Sequence, residues 1–399
     1  MRLRRYKTKS KIYFAVLLAV IILLPIASIL ILKSSEEPLA DKIALGYSDK
    51  IEIFDLSGNR LKTINISEPE KHFDKLVISP SLKTLAYIET SSSNATNSFG
   101  FSSAKSIGQL SIYNLDTDTS TMYSKSDVLS FDLVDDENAL VYNQHNKNIF
   151  KANIVNGSEP VKVGIDLDMD TISNDPPLLA LGDNILAYSM WTKPDGKEQR
   201  FFYSFLSQDK LISNVLESML IQYDSFPVGI PYKYFILAKD KSQNRVAIST
   251  YDESTYTDGI AYSAPETIII ATSSCSNFCI DANHTNITMG GTSKGKFSII
   301  YNLAWIGGKV CAVRGLSNQD SIEYVDGIFC YQVDDNNSIV NEEEVVSKDM
   351  VDQLTIATNR NTLAFANKGK LYLEDVEQKT IEETNISTRD DLKFIGFMK

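Results

Sequence analysis

One phrase recurs seven times between Asp41 and Lys368: a polar or basic turn residue followed by a short alternating apolar run. The copies begin at Lys42 (KIALGY), Lys83 (KTLAYI), Asn138 (NALVYN), Asn184 (NILAYS), Asn244 (NRVAIS), Lys309 (KVCAVR) and Asn361 (NTLAFA). Alternation with a period of two marks a strand, and spacings of roughly 40 to 65 residues belong to a repeat architecture with strands as its unit. The repeat says what kind of molecule this is. It leaves open what the molecule binds.

Each copy has two companions. Downstream lies another strand with a turn behind it, starting near Ile51, Leu110, Ile149, Phe201, Thr267, Gly327 and Leu371; upstream lies an apolar strand near Asp74, Val128, Pro176, Tyr234, Tyr301 and Val351. The first copy lacks the upstream partner, and the missing strand is found in the last nine residues, DLKFIGFMK. A ring of strands must close or leave a raw edge, and a tail strand that completes the opening sheet closes it. The expected fold is therefore all-β: a seven-bladed β-propeller over residues 42–399, closed by the C-terminal strand. Outer strands are half exposed and carry weaker patterns. They are read at LKTINIS after Arg60, STMYSKS after Thr119 and TIEETNI after Lys379.

In the second unit the run Ser79, Pro80, Ser81, Leu82, Lys83, Thr84, Leu85, Ala86, Tyr87 resembles the SPDGK-type turn of TolB-like and WD40-like propellers. In that family the turn joins the innermost strand to the next. The resemblance covers residues 42–399 and has one recognisable Ser-Pro copy, with Ser81 and Leu82 standing where the family has Asp and Gly. It implies a scaffold used for protein contacts.

Ahead of the repeats, Ile12 to Leu32 form 21 residues without a charge, enough to cross about 30 Å of hydrocarbon as a helix. Arg2, Arg4, Arg5, Lys7, Lys9 and Lys11 precede this run, and Lys33 is followed by Glu36 and Glu37. The basic side stays in the cytoplasm. The reading is a cytoplasmic segment at 1–11, a single-pass signal anchor at 12–32 in the plasma membrane, a linker at 33–41 and an extracytoplasmic propeller. A cleaved signal peptide is the rival, but its apolar region is expected to be shorter and to end at a small-x-small site. The net charge is −12, and the basic residues are concentrated at the N-terminus, so the exported part is more acidic still. Such a surface repels phosphate backbones, which argues against nucleic acid as a partner.

Cys275, Cys279, Cys311 and Cys330 are the four cysteines. Outside the cytoplasm an even number reads first as disulfides, with Cys311 facing Cys330 across neighbouring strands and Cys275 closing a small loop with Cys279. A zinc site built on Cys275, Cys279 and His284 is the competing idea; no metal or cofactor is expected. His72, His145 and His284 lie in different repeats, and no nucleophile, zincin or phosphate-loop motif is present. Asp166, Asp168 and Asp170 imitate the start of a calcium loop, but Thr171 stands where glycine is needed. Asp116 and Asp118 read as turn residues that bond local backbone. On the inner strands Asp132 and Lys239 are the most plausible chemical groups, and neither has an obvious partner in the sequence.

Loop lengths carry the functional inference. First-to-second connections are short, whereas second-to-third connections are long at 91–106, 191–200, 252–264 and 315–326, as is the stretch 279–296 before the sixth unit. In an up-and-down sheet the long connections emerge at one end, and elaborated loops on a rigid frame are where binding resides. The linker spans at most about 30 Å and enters the first unit at the opposite, plain end, so the decorated end is expected to face outward. Phe99, Phe101, Trp191, Tyr251, Tyr256, Tyr262 and Tyr324 lie in or beside these insertions, and rim aromatics anchor partners or stack on sugars. The leading expectation is a non-enzymatic protein-binding scaffold. A carbohydrate or cell-wall module, and a hydrolase or lyase with chemistry at the inner strands, are the alternatives. Seven N-x-S/T sequons stand at Asn65, Asn94, Asn156, Asn283, Asn286, Asn336 and Asn385; in a eukaryotic secretory pathway they accept glycans, and in a bacterium they carry no such meaning.

Overall fold

The computed structural model describes residues 39–79, 81–91, 108–134, 139–144, 149–154, 159–163, 178–181, 184–192, 198–207, 210–222, 237–240, 245–251, 256–257, 260–261, 266–272, 285–287, 297–317, 322–336 and 338–399. The chain divides into two compact units, Met1–Pro38 and Leu39–Lys399. The first, with the expected anchor at 12–32, lies outside the described residues. Among the described residues no helix is long and apolar enough to cross a membrane.

The second unit is a succession of antiparallel sheets. Strands β1 (Lys42–Gly46), β2 (Lys50–Asp55) and β3 (Arg60–Asn65) are joined by the last strand, β29 (Phe394–Met398), in the order β29-β1-β2-β3. Then β4 (His72–Ile78), β5 (Thr84–Thr90), β6 (Gly108–Asn114), β7 (Thr119–Val134), β8 (Ala139–Gln144), β9 (Ile149–Asn153) and β10 (Val161–Val163) make one seven-stranded sheet. A four-stranded sheet follows from β11 (Leu178–Leu181), β12 (Asn184–Thr192), β13 (Glu198–Ser207) and β14 (Lys210–Gln222). The next pairs β15 (Leu237–Asp240), β16 (Arg245–Tyr251), β19 (Glu266–Thr272) and β20 (Thr285–Ile287), with β17 (Tyr256–Thr257) and β18 (Ile260–Ala261) as a separate hairpin. Two more sheets complete the unit: β21 (Phe297–Ile306), β22 (Lys309–Ser317), β23 (Ile322–Val333) and β24 (Ile339–Ser347), then β25 (Ile356–Asn359), β26 (Thr362–Asn367), β27 (Lys370–Asp375) and β28 (Thr380–Ser387).

All seven repeated phrases become second strands: β1, β5, β8, β12, β16, β22 and β26. In β1, β5 and β26 both faces are buried, because their sheets pack against neighbours on either side. Ile43 and Leu45 pack with Ala364 and Ala366 of the last sheet, while Ala44 packs with Leu85 and Tyr87 of the next. First strands neighbour one another in the order β11, β7, β4, β29, β25, β21, β15. Outer strands exceed those read from the sequence, since β10, β14, β20 and β24 add to the three expected. Strand β7 is a further difference. Its first half pairs with β6 and its second half with β8, so the outer strand of one unit continues into the inner strand of the next. No Gly or Pro interrupts Ser124 to Val128 to force a turn there.

The tail closes the unit as the sequence predicts. Register runs from Lys42↔Met398 to Gly46↔Phe394, and it is extended by Asp41 N–H to Met398 O (3.1 Å) and Lys393 N–H to Gly46 O (2.9 Å). Gly396 lets side chains close in on β29: a Cβ there would meet Ile78 Cδ1 at 2.4 Å, so that side chain would have to shift. One step further, Lys399 N–H donates to Leu82 O at 2.8 Å. Leu82 has φ of 64°, so the position where the resembled motif has glycine keeps the left-handed backbone and adds a buried side chain. Ser79 holds this turn, its hydroxyl accepting from Lys83 N–H (3.1 Å) and Thr84 N–H (3.0 Å).

Candidate functional site

Candidate side chains fall in two regions: the inner strands and the end carrying the second-to-third connections. On the inner strands the register of β4 against β5 slips between Phe73 and Leu76, leaving one extra residue on β4. Such a bulge re-aims a side chain. Lys75 lies in it and donates to Phe131 O at 2.8 Å, with its ammonium 5.1 Å above the Phe131 ring. Next to Phe131, the buried carboxylate of Asp132 accepts from Lys239 Nζ at 2.8 Å. The two groups read from sequence as lacking an obvious partner are thus each other's partner. They are 107 residues apart, on β7 and β15. Burial pushes Lys75 down to about 8, with Lys239 adding to the effect and Asp132 opposing it.

Beside Lys239, Asp240 accepts from Arg245 Nη2 (2.9 Å) and Nε (3.1 Å), a fully desolvated pair. The Arg245 guanidinium lies 4.7 Å from the Trp305 ring, and Trp305 Nε1 donates to Ala238 O at 2.8 Å. Asp240 and Arg245 are register partners within one sheet, whereas the two Trp305 contacts tie that sheet to the neighbouring one through β21. Another buried carboxylate lies further out. Glu374 in β27 is 2% exposed with no partner for Oε2, and burial, reinforced by Glu343 and Asp375, pushes it up to about 7. Glu343 itself is held by Lys309 and Lys379.

At the other region the structure changes the reading. Within the expected insertions at 191–200 and 315–326 the described residues belong to strands: Trp191 pairs with Arg200 between β12 and β13, and Tyr324 pairs with Leu316 between β22 and β23. Tyr251 ends β16 opposite Glu266, and Tyr256 belongs to the small hairpin, opposite Ala261. Trp191, Tyr251 and Tyr324 lie at the end of their sheets where second strands lead to third strands. Phe99, Phe101 and Tyr262 lie outside the described residues. The expected insertion at 279–296 contains β20, an outer strand whose three residues are too short to show a pattern.

Cys311 and Cys330 stand directly opposite in β22 and β23 and form a buried disulfide. Cys275 and Cys279 lie outside the described residues, as do His145, His284, Asp166, Asp168 and Asp170. Burial and the nearby Lys393 lower His72. Among the described residues no group of three or more His, Cys, Asp or Glu could hold a metal. Asp116 and Asp118 do not bond local backbone as expected. Asn114 does so, accepting from Thr117 N–H (3.0 Å), while Asp116 pairs with Lys83 and Asp118 with Lys62.

No family model matches the sequence, and no curated protein matches it. Solved structures do. The β-propeller domain of the Trilobed protease from Pyrococcus furiosus aligns over 86% of this chain and 88% of that one, at 10% identity and a TM-score of 0.51. The described sheets form a β-propeller. That domain is described as having an open velcro topology, whereas here β29 and β1 join the ends of the propeller. The tricorn protease aligns at 13% identity and a TM-score of 0.49, covering 88% of this chain. This chain spans 34% of the tricorn protease, about a third of its length. The C-terminal WD40 domain of Sif2 aligns at 11% identity and a TM-score of 0.44, over 90% of this chain and 84% of that one.

Proposed function

We propose that this propeller has seven blades, is held outside the cytoplasm by residues 12–32, and works as a non-enzymatic scaffold that binds a protein through the end carrying its second-to-third connections. The blade count follows from reading the seven-stranded sheet as two four-stranded blades that share β7.

One-sided elaboration carries the functional reading. First-to-second turns are as short as Gly307–Gly308 between β21 and β22, whereas β5 and β6 are separated by 91–107, and β16 and β19 by 252–265 with a hairpin inside. A rigid frame with additions at one end presents a recognition surface there. The pairing of Asp132 with Lys239 further supports binding over hydrolysis, because that carboxylate is committed to an ion pair.

Crosslinking the full chain in its own membrane tests this reading. A captured partner is expected to be lost with Trp191→Ala and Tyr256→Ala and retained with substitutions at the short turns. Capture indifferent to both aromatics would refute binding at that end.

A further inference from the structure

Four of the seven sequons fall on described residues, and all four lie on an outer strand or the turn leading into one. Asn65 ends β3, Asn286 lies in β20, Asn336 precedes β24 and Asn385 lies in β28. Among the described residues none falls on a first, second or third strand. Asn65, Asn336 and Asn385 are exposed.

The same strands carry large apolar side chains in water: Leu61 on β3 is 49% exposed, Val340 on β24 60% and Ile381 on β28 42%. Each is four residues from a sequon asparagine, roughly 13 Å along an extended chain. An outer strand also presents an unpaired row of backbone groups, and an apolar residue on it invites edge-to-edge pairing with another copy. A hydrated, bulky sugar at that spacing blocks such an approach.

We propose that Asn65, Asn336 and Asn385 are N-glycosylated and that their sugars cover the apolar outer edges of the propeller. The inference rests on the export reading above. In the transfer, the asparagine carboxamide nitrogen bonds to the anomeric carbon of an oligosaccharide on a lipid pyrophosphate. The carbon–oxygen bond to that pyrophosphate breaks, the lipid pyrophosphate leaves with the electron pair, and the amide gives up one proton. Transfer at Asn65 has to precede folding, because the sequon's Ser67 is later taken up by Glu89, which accepts from its hydroxyl and from its N–H (3.1 Å). The buried Cys311–Cys330 disulfide fits the same oxidising compartment.

Mass spectrometry of the protein from its source cells, after protease treatment of the intact cells, reads both claims. The expected result is a protease-accessible chain with sugar mass on the peptides of Asn65, Asn336 and Asn385. Enzymatic removal of the sugars from the folded protein should then shift it from monomer to larger species in size-exclusion chromatography. The variant Leu61→Lys, Val340→Lys, Ile381→Lys should stay monomeric after the same treatment. Bare asparagines on an accessible chain would overturn the glycans alone, and an inaccessible chain would overturn export with them. A stripped protein that remains monomeric would overturn the covering role.

Discussion

Ser79 illustrates how much one hydroxyl can hold. It is fully buried and accepts from two backbone N–H groups, so Ser79→Ala leaves both without a partner. A loss of about 1–3 kcal/mol is expected from denaturant unfolding. Glu374 gives a prediction with a sign. Its carboxyl is raised from 4.5 to about 7 in the folded chain, so the folded state holds a proton that the unfolded state has lost. Stability is intact below pH 4.5, falls as pH rises through 7 and levels off above, by about 3 kcal/mol in all. Glu374→Gln should remove that slope, read from melting temperatures at pH 5 and pH 8; identical slopes would refute it. The Ser79 turn is legible in the sequence as a Ser-Pro motif. The Asp132–Lys239 pair is not, because 107 intervening residues separate the two partners.

At the scale of strands, elements such as β1, β5 and β26 are legible because their side chains are buried on both faces and their apolar residues recur in each repeat. Outer strands such as β24, with Glu342, Glu343 and Glu344 in its centre, have only one partner strand and a face in water, so the apolar signal vanishes. The stretch carrying Trp191 reads as a loop because Pro194 and Gly196 are turn residues in the sequence, whereas Trp191 and Thr192 belong to β12 and Glu198 to Arg200 to β13. Strand β29 is the element on which closure depends. Deleting the last nine residues removes every β1 pairing on that side and should abolish the single cooperative unfolding transition. The β22–β23 disulfide closes a loop of 19 residues, and a Cys311→Ala, Cys330→Ala chain should lose about 3 kcal/mol in denaturant unfolding.

For the whole molecule, periodicity revealed the architecture and loop asymmetry pointed to one end, while the identity of a partner has no signature in either. The partner would be read by side chains at the decorated end, and their arrangement depends on how separate hairpins converge rather than on any local motif. Continuity of β7 has its own mechanical meaning. Because both halves belong to one strand, a tilt of the β6 side displaces the segment bearing Asp132 and, through its ion pair, Lys239.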